Sequence, residues 1–232
     1  MKKELHRSHE RGTSELDWLR SRFSFSFADY HDARRMGFGA LRVLNDDIIS
    51  AGRGFDFHPH RDMEIITILL SGSLAHKDSL GSEGIISKGE VQVMSAGTGI
   101  VHSEFNASES EDCTLLQIWI FPRQKGLSPR YDQKAIALQR NAFTLLVSGE
   151  ASDDALMINQ DARLLRGRFD VAKKAAFSIE EGKGLFLFVI DGEVNAAGES
   201  LRKRDALLVS DADLIEIECT AVSDLLLIEV SF

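Results

Sequence analysis

The sequence predicts an all-β protein built from two β-barrels in tandem, and three observations predict it. Short apolar or alternating runs recur along the chain, separated by turns rich in Gly, Asn and Asp. Helical periodicity is scarce. The two halves of the chain repeat one order of elements: strand, Gly turn, strand, then a charged turn before another strand.

Each element can be justified in turn. Arg22 to Phe27 alternates Phe23, Phe25 and Phe27 with polar residues, the pattern of a half-buried strand. Ala40 to Leu44 continues that pattern into an expected turn at Asn45-Asp46-Asp47. Glu64 to Leu70 is largely apolar and ends at Ser71-Gly72-Ser73. Leu115 to Phe121 is a second such run, stopped by Pro122. The stretch from Lys125 to Gln139 has Gly126, Pro129, mixed charge and no strong period. The boundary is therefore expected there, with domains at residues 1–130 and 131–232. Beyond it, Phe143 to Ser148, Gly184 to Ile190, Ala206 to Ser210, Leu214 to Cys219 and Leu225 to Val230 read as strands. Glu64 to Gly72 leading to Gly89–Met94 is matched by Leu185 to Gly192 leading to Lys203–Leu208, as a duplicated barrel requires.

Composition removes several functions. The 232 residues contain 44% hydrophobic side chains, enough for a real core, and carry a net charge of -9. A phosphate-backbone binder needs a basic face. The densest basic cluster, Arg202-Lys203-Arg204, is followed at once by Asp205 and reads as a solvated turn. No nucleic-acid partner is expected. No apolar run is long enough to span a bilayer, and the charged N-terminus does not resemble a secretory leader. Cys113 and Cys219 stand far apart in strand-like runs, which suits a reducing compartment. A cytoplasmic monomer is the expectation.

Chemistry concentrates between residues 52 and 106. His58 and His60 are two residues apart on a strand, so both point the same way and can converge on one ion. Pro59 between them suits a strand end or edge. His102 and Glu104 repeat the spacing, after a Gly97-x-Gly99 pair that permits a tight backbone excursion. Three imidazoles and a carboxylate leave adjacent open positions on an octahedral ion, as in non-haem Fe(II) sites. Glu64 competes as a ligand but lies four residues from His60, about 13 Å along an extended strand. Glu104 needs no bend, so the expected metal ligands are His58, His60, His102 and Glu104. His6 and His9 in the charged terminus, His31 in a loop and His76, expected to be exposed after the Gly72 turn, are not expected as ligands. No histidine follows position 102. No dinucleotide, Walker or Ser/His/Asp motif is present.

These strings resemble the two cupin motifs: Gly52-x5-His58-x-His60-x3-Glu64-x7-Gly72, then Gly89-x5-Ser95-x-Gly97-x4-His102-x3-Asn106. The long gap within Met94-Ser-Ala-Gly-Thr-Gly-Ile-Val-His102-Ser-Glu104 is similar to the pirin family in particular. So are Phe25-Ser-Phe-Ala-Asp-Tyr30, Gly37-Phe-Gly-Ala-Leu-Arg-Val-Leu-Asn-Asp46, His58-Pro-His-Arg-Asp-Met-Glu-Ile66 and Gln117-Ile-Trp-Ile120. The resemblance is dense from Phe23 to Tyr131 and thin beyond. Ile68 and Ser71 depart from the family's Tyr-x-Leu-Glu-Gly pattern.

The resemblance implies two cupin barrels (double-stranded β-helices). The first would hold metal through the three His and one Glu at His58, His60, His102 and Glu104, and the second would be degenerate. It implies Fe(II) as the cofactor, with nickel, copper, manganese and zinc also suited to the donors. It further implies a quercetin 2,3-dioxygenase-like activity on a flavonol-like substrate and dioxygen, with Glu104 taking the substrate hydroxyl proton. The alternative is a non-catalytic regulator, a redox sensor or enzyme modulator with a protein partner. A metal-dependent isomerase or decarboxylase would use the same scaffold. A sugar phosphate would call for more cations than the flanking Arg53 and Arg61.

Overall fold

The fold is described by a computed structural model over residues 1–152 and 154–232. Its regular structure is strand, apart from one short 3-10 turn at Ser8–Glu10 among the described residues. No helix there is long and apolar enough to cross a membrane. Each half pairs a seven-stranded sheet with a four-stranded one. The large N-terminal sheet runs in the order Arg130–Ala135, Glu90–Ser95, Glu64–Ser71, Cys113–Ile120, Leu41–Ile49, Leu19–Phe23, Gly12–Glu15. Its small partner is Gly54–His60, Ile100–Asn106, Ser73–Asp78, Glu83–Ser87.

The C-terminal half repeats this plan. Ala206–Ser210, Lys183–Asp191, Ser223–Ser231, Ala162–Phe169 and Phe143–Ser148 take the places of Glu90–Ser95, Glu64–Ser71, Cys113–Ile120, Leu41–Ile49 and Leu19–Phe23. The small sheet Lys174–Ser178, Leu214–Cys219, Glu193–Ala196, Glu199–Arg202 matches its N-terminal counterpart in order. The expected duplication is thus a repeat of strand order.

The two large sheets pack face to face. Successive residues of a strand point to opposite faces. On Glu64–Ser71 and Cys113–Ile120, the residues Ile66, Ile68, Leu116, Ile118 and Ile120 face the other barrel. There they meet Leu164, Phe186, Phe188, Leu208, Leu226 and Ile228 in one buried cluster. Burying side chains of this kind stabilises the fold by about 1.5–3 kcal/mol each. Ile68 therefore lies between the barrels and not in the interior of the first. The alternate residues Ile65, Leu69 and Leu115 point into the N-terminal barrel.

Several expectations change. The strand predicted at Arg22–Phe27 is Leu19–Phe23, and the chain leaves the sheet at Ser24, where Phe25 tucks against Phe186 between the barrels. Asn45-Asp46-Asp47 is no turn. All three residues are buried in the middle of Leu41–Ile49, because each polar group finds a place on one side of the sheet or the other. Asp46 receives Arg11 at 3.3 Å and Arg204 at 2.9 Å. Arg204 is therefore half-buried and does not sit in a fully solvated turn, while Arg202 and Lys203 are exposed. The 130/131 boundary is crossed twice by strand pairing. Arg130–Ala135 extends the N-terminal sheet, and Lys2–His6 pairs with Ala206–Ser210 in the C-terminal one. That pairing buries His6, which bonds Glu4 at 2.8 Å.

Asp47 points into the N-terminal barrel and accepts a hydrogen bond from Ser21. Burial, with Asp46 nearby adding to it, pushes its carboxyl up to about 7. The unfolded value is about 3.9. Between those values the folded chain keeps a proton that the unfolded chain has released, so stability falls as pH rises through this window and levels off above it. Asp47→Asn should leave metal-free stability near wild type at pH 4. It should raise stability at pH 8 by on the order of a few kcal/mol, as read by urea unfolding across pH. Parallel pH curves for both chains would refute this assignment.

Candidate metal centre

The site lies inside the N-terminal barrel, where the small sheet faces the large one. His102 on Ile100–Asn106 stands directly opposite His58 on Gly54–His60. The register between these strands shifts between His102 and Glu104, placing Phe55 opposite Glu104. The His58 and His60 rings lie 4.8 Å apart, and both sit close to His102, at 4.4 and 4.9 Å. Ligand nitrogens of the three fall within 4.8 Å of one another. The same-face expectation for His58 and His60 is met in the structure.

The loop before His102 is held closely. Gly97 has a φ of 47°, and a Cβ there would overlap the carbonyl of Leu127. This is the excursion that the Gly97-x-Gly99 pair suggested, and it brings the chain to His102.

The imidazoles are arranged for a cation. The Nδ1 of His58 lies 2.8 Å from the carbonyl oxygen of Asp56, so it carries the proton and leaves Nε2 with a free lone pair. His102 is buried, and neither of its ring nitrogens has a hydrogen-bond partner. Burial, then the His58, His60 and His76 charges, pushes its pKa down to about 2. Burial followed by His58 lowers that of His60 to about 4. Both rings are neutral at physiological pH. Two orphaned nitrogens on a buried ring are costly unless something meets them. A divalent transition ion fits that demand, and the donor set suits it.

Glu104 takes a different position from the one expected. Its carboxylate accepts from Gln117 Nε2 at 2.8 Å and from Thr67 Oγ1 at 3.4 Å. These bonds hold it toward the large sheet. It does not join the group of three imidazoles within 4.8 Å, but groups instead with His102 and His76. Burial, then Asp47, raises its pKa to about 7.

His76 is the residue that sequence reasoning missed. The expectation of an exposed side chain is corrected: His76 is 1% exposed. It shares the inward face of Ser73–Asp78 with Leu74 and stands opposite Glu104. One ring nitrogen bonds Asp78 at 3.1 Å, and the ring stacks on Tyr131 at 4.5 Å. The available signal was parity with the apolar Leu74. Glu64, the competing ligand, points the opposite way. It accepts from Ser95 at 2.6 Å and from Asn159 of the C-terminal half at 3.1 Å, and so helps join the barrels.

The centre is framed by aromatic rings. Trp119 meets His60 edge-on at 4.9 Å and Phe27 at 5.3 Å, and Phe55 lies 6.2 Å from His58. The Trp119 Nε1 has no hydrogen-bond partner.

Beneath the site runs a row of polar side chains across the large sheet, in the order Gln92, Thr67, Gln117, Asn45. Gln92 donates to Thr67 at 3.4 Å, and Thr67 bonds Gln117 at 3.0 Å. The same register places in the C-terminal barrel are Leu207, Leu187, Leu227 and Leu165. There, too, Ile215, Ile217, Ala196 and Phe177 stand where His102, Glu104, His76 and His58 stand in the first barrel. These four side chains are hydrocarbon and offer no imidazole or carboxylate at those places.

Comparison with known proteins matches the two halves to separate family models. The family model described as Pirin matches residues 4–120. The one described as Quercetinase C-terminal cupin domain matches residues 145–230. A quercetin 2,3-dioxygenase of Escherichia coli (strain K12) is 41% identical over 227 residues, covering 97% of each chain. A pirin-like protein of Caulobacter vibrioides is 38% identical over 223 residues, covering 95% of this chain and 96% of that one. The structure of the bacterial pirin YhhW from Escherichia coli in complex with nickel(II) superimposes with a TM-score of 0.95. It shares 40% identity and covers 99% of both chains.

Gln117→Leu should leave the buried Glu104 carboxylate without its shortest hydrogen bond. The expected loss is about 1–3 kcal/mol in urea unfolding of the metal-free chain. An unchanged midpoint would mean that the bond does not hold Glu104.

Proposed function

The chain belongs to the pirin family, and on that footing we propose that it is a metal-dependent dioxygenase of the quercetin 2,3-dioxygenase kind, opening a flavonol-type ring. The single observation that carries the reading is the buried His102 ring. It has two unpartnered nitrogens and stands beside His58 and His60 within ligand distance of one another. The near full-length likeness to a quercetin 2,3-dioxygenase of Escherichia coli supports the substrate class.

In this reading His58, His60 and His102 hold the ion, with Glu104 as fourth ligand and Fe(II) as the favoured metal. Nickel is the next choice, in view of the YhhW complex. When bound, the ion supplies Lewis acidity and a template for substrate and dioxygen. The protein's own groups do the rest. Asp56 fixes the tautomer of His58. Trp119 and Phe55 give flat apolar walls for an aromatic substrate. The free indole N–H of Trp119 is a donor for a substrate oxygen. Glu104, the carboxylate set beside His102, accepts the proton of the substrate hydroxyl. One flavonol and one dioxygen give one ring-opened ester and one carbon monoxide, with both dioxygen atoms retained in the ester. Buried free Cys113 and Cys219 fit a reducing cytoplasm.

A second reading, a metal-containing binding protein without turnover, is favoured by one observation. Phe57, Val101, Phe105 and Ile85 are exposed on the strands of the small sheet. Such a patch suits an apolar protein partner.

Oxygen uptake and carbon monoxide release with quercetin separate the two. The wild type should turn over, and His58→Ala should fall by at least about 100-fold, the scale on which loss of metal support is felt. Equal rates in the two chains would sink the enzymatic reading, since stray metal in solution also oxidises quercetin.

A further inference from the structure

We propose a second, inner cation position in the same barrel, formed by His76, His102 and Glu104, which takes a divalent first-row transition ion. It deepens the metal-centre reading above, because it shares His102 and Glu104 with the outer position and exchanges His58 and His60 for His76.

Three observations lead there. The first is proximity: a ring nitrogen of His76, one of His102 and a carboxylate oxygen of Glu104 lie within 4.8 Å of one another, and all three residues are buried. Two imidazoles and one carboxylate form a donor set that holds divalent iron and its neighbours.

The second is how His76 is held. Asp78 bonds one ring nitrogen at 3.1 Å, and the side chains of both residues are fully buried. Asp78 is itself fixed by the backbone N–H groups of Leu80 at 2.8 Å and Ser82 at 3.0 Å. The other nitrogen of His76, Nδ1, has no partner. A carboxylate on one imidazole nitrogen, leaving the other with an open lone pair, is the arrangement that supports metal-binding histidines. Tyr131 stacked on the ring keeps it from turning away.

The third is the internal control within the chain. The C-terminal barrel has the same strand order and places Ala196, Ile215 and Ile217 where His76, His102 and Glu104 stand. Those three residues are buried in an apolar cluster. The fold therefore does not require buried polar groups there. Orphaned nitrogens in a barrel interior are costly unless a ligand meets them. As it sits, Glu104 groups within 4.8 Å with His76 and His102, and is not in the group of His58, His60 and His102.

The test uses the full chain, stripped of metal by chelation and titrated with Co(II) by calorimetry and visible absorption. Wild type should bind one ion tightly. The His58→Ala/His60→Ala double variant, checked for wild-type circular dichroism, should still bind one Co(II) with 10²- to 10³-fold weaker affinity. Adding His76→Leu should abolish that binding. A folded double variant that takes up no Co(II), or a triple variant that binds as well as the double, overturns the inner position and leaves the outer one standing. A wild type that takes up no Co(II) overturns both. Should the double variant fail to fold, His60→Ala alone decides the matter. Its Co(II) form should show a hyperfine-shifted exchangeable N–H proton that is lost on His76→Leu, and absence of that resonance refutes the proposal.

Discussion

Apolar contact between the two seven-stranded sheets sets the direction of the side chains on the strands that carry the site. Ile66, Ile68, Leu116 and Ile118 must face the second barrel to be buried there. Because side chains alternate along a strand, Thr67 and Gln117 must then face inward. A slip of one residue would turn Ile66 and Ile118 into the metal cavity and expose the polar row between the barrels. The same rule carries Glu64 and Asp46 to the interface side, where each is met by a donor from the C-terminal half, Asn159 or Arg204. Glu64 is thus removed from the metal centre by the constraint that places Thr67 and Gln117 beneath it.

The duplicated plan isolates what makes one barrel chemical and the other structural. The two interiors share strand order and register. They differ in one row of the large sheet, polar in the first and leucine in the second, in the buried Asp47, and in the candidate ligand positions above. Gln92, Thr67 and Gln117 are not ligands. They hold Glu104, and a buried carboxylate without such donors would cost more than the site could bear. In the C-terminal barrel the place of Glu104 is taken by Ile217, so leucine packs the same row. The candidate metal centre is therefore a connected polar layer as much as three histidines.

Much of this was legible in the chain itself. Val, Ile and Leu runs bounded by Gly turns mark the strands of both barrels, because a strand with both faces buried reads as a largely apolar run. The i, i+2 spacing of His58 and His60 fixed their common face, and the absence of histidine after position 102 confined imidazole chemistry to the first half. Asn45-Asp46-Asp47 misled because three polar residues in succession are read as a turn. Here the partners of Asp46 and Asp47, namely Arg11, Arg204 and Ser21, come from distant segments. His76 escaped notice because its neighbours Lys77 and Asp78 suggest a solvated stretch. Only the pairing of Ser73–Asp78 with Ile100–Asn106 shows that His76 and Asp78 are turned inward.

By itself, then, the sequence determined the class of fold, its duplication, the family and the imidazoles that can reach one ion. These depend on local periodicity and spacing, which the backbone geometry of a strand translates directly into faces. Tertiary structure decided the rest: that Lys2–His6 completes the far barrel, that Glu64 braces the interface, that Glu104 is held back by Gln117 and Thr67, and that His76 with Asp78 stands behind it. Each of these depends on a partner remote in the chain. A buried polar group can be recognised as such only when the group that satisfies it, or fails to, is brought alongside.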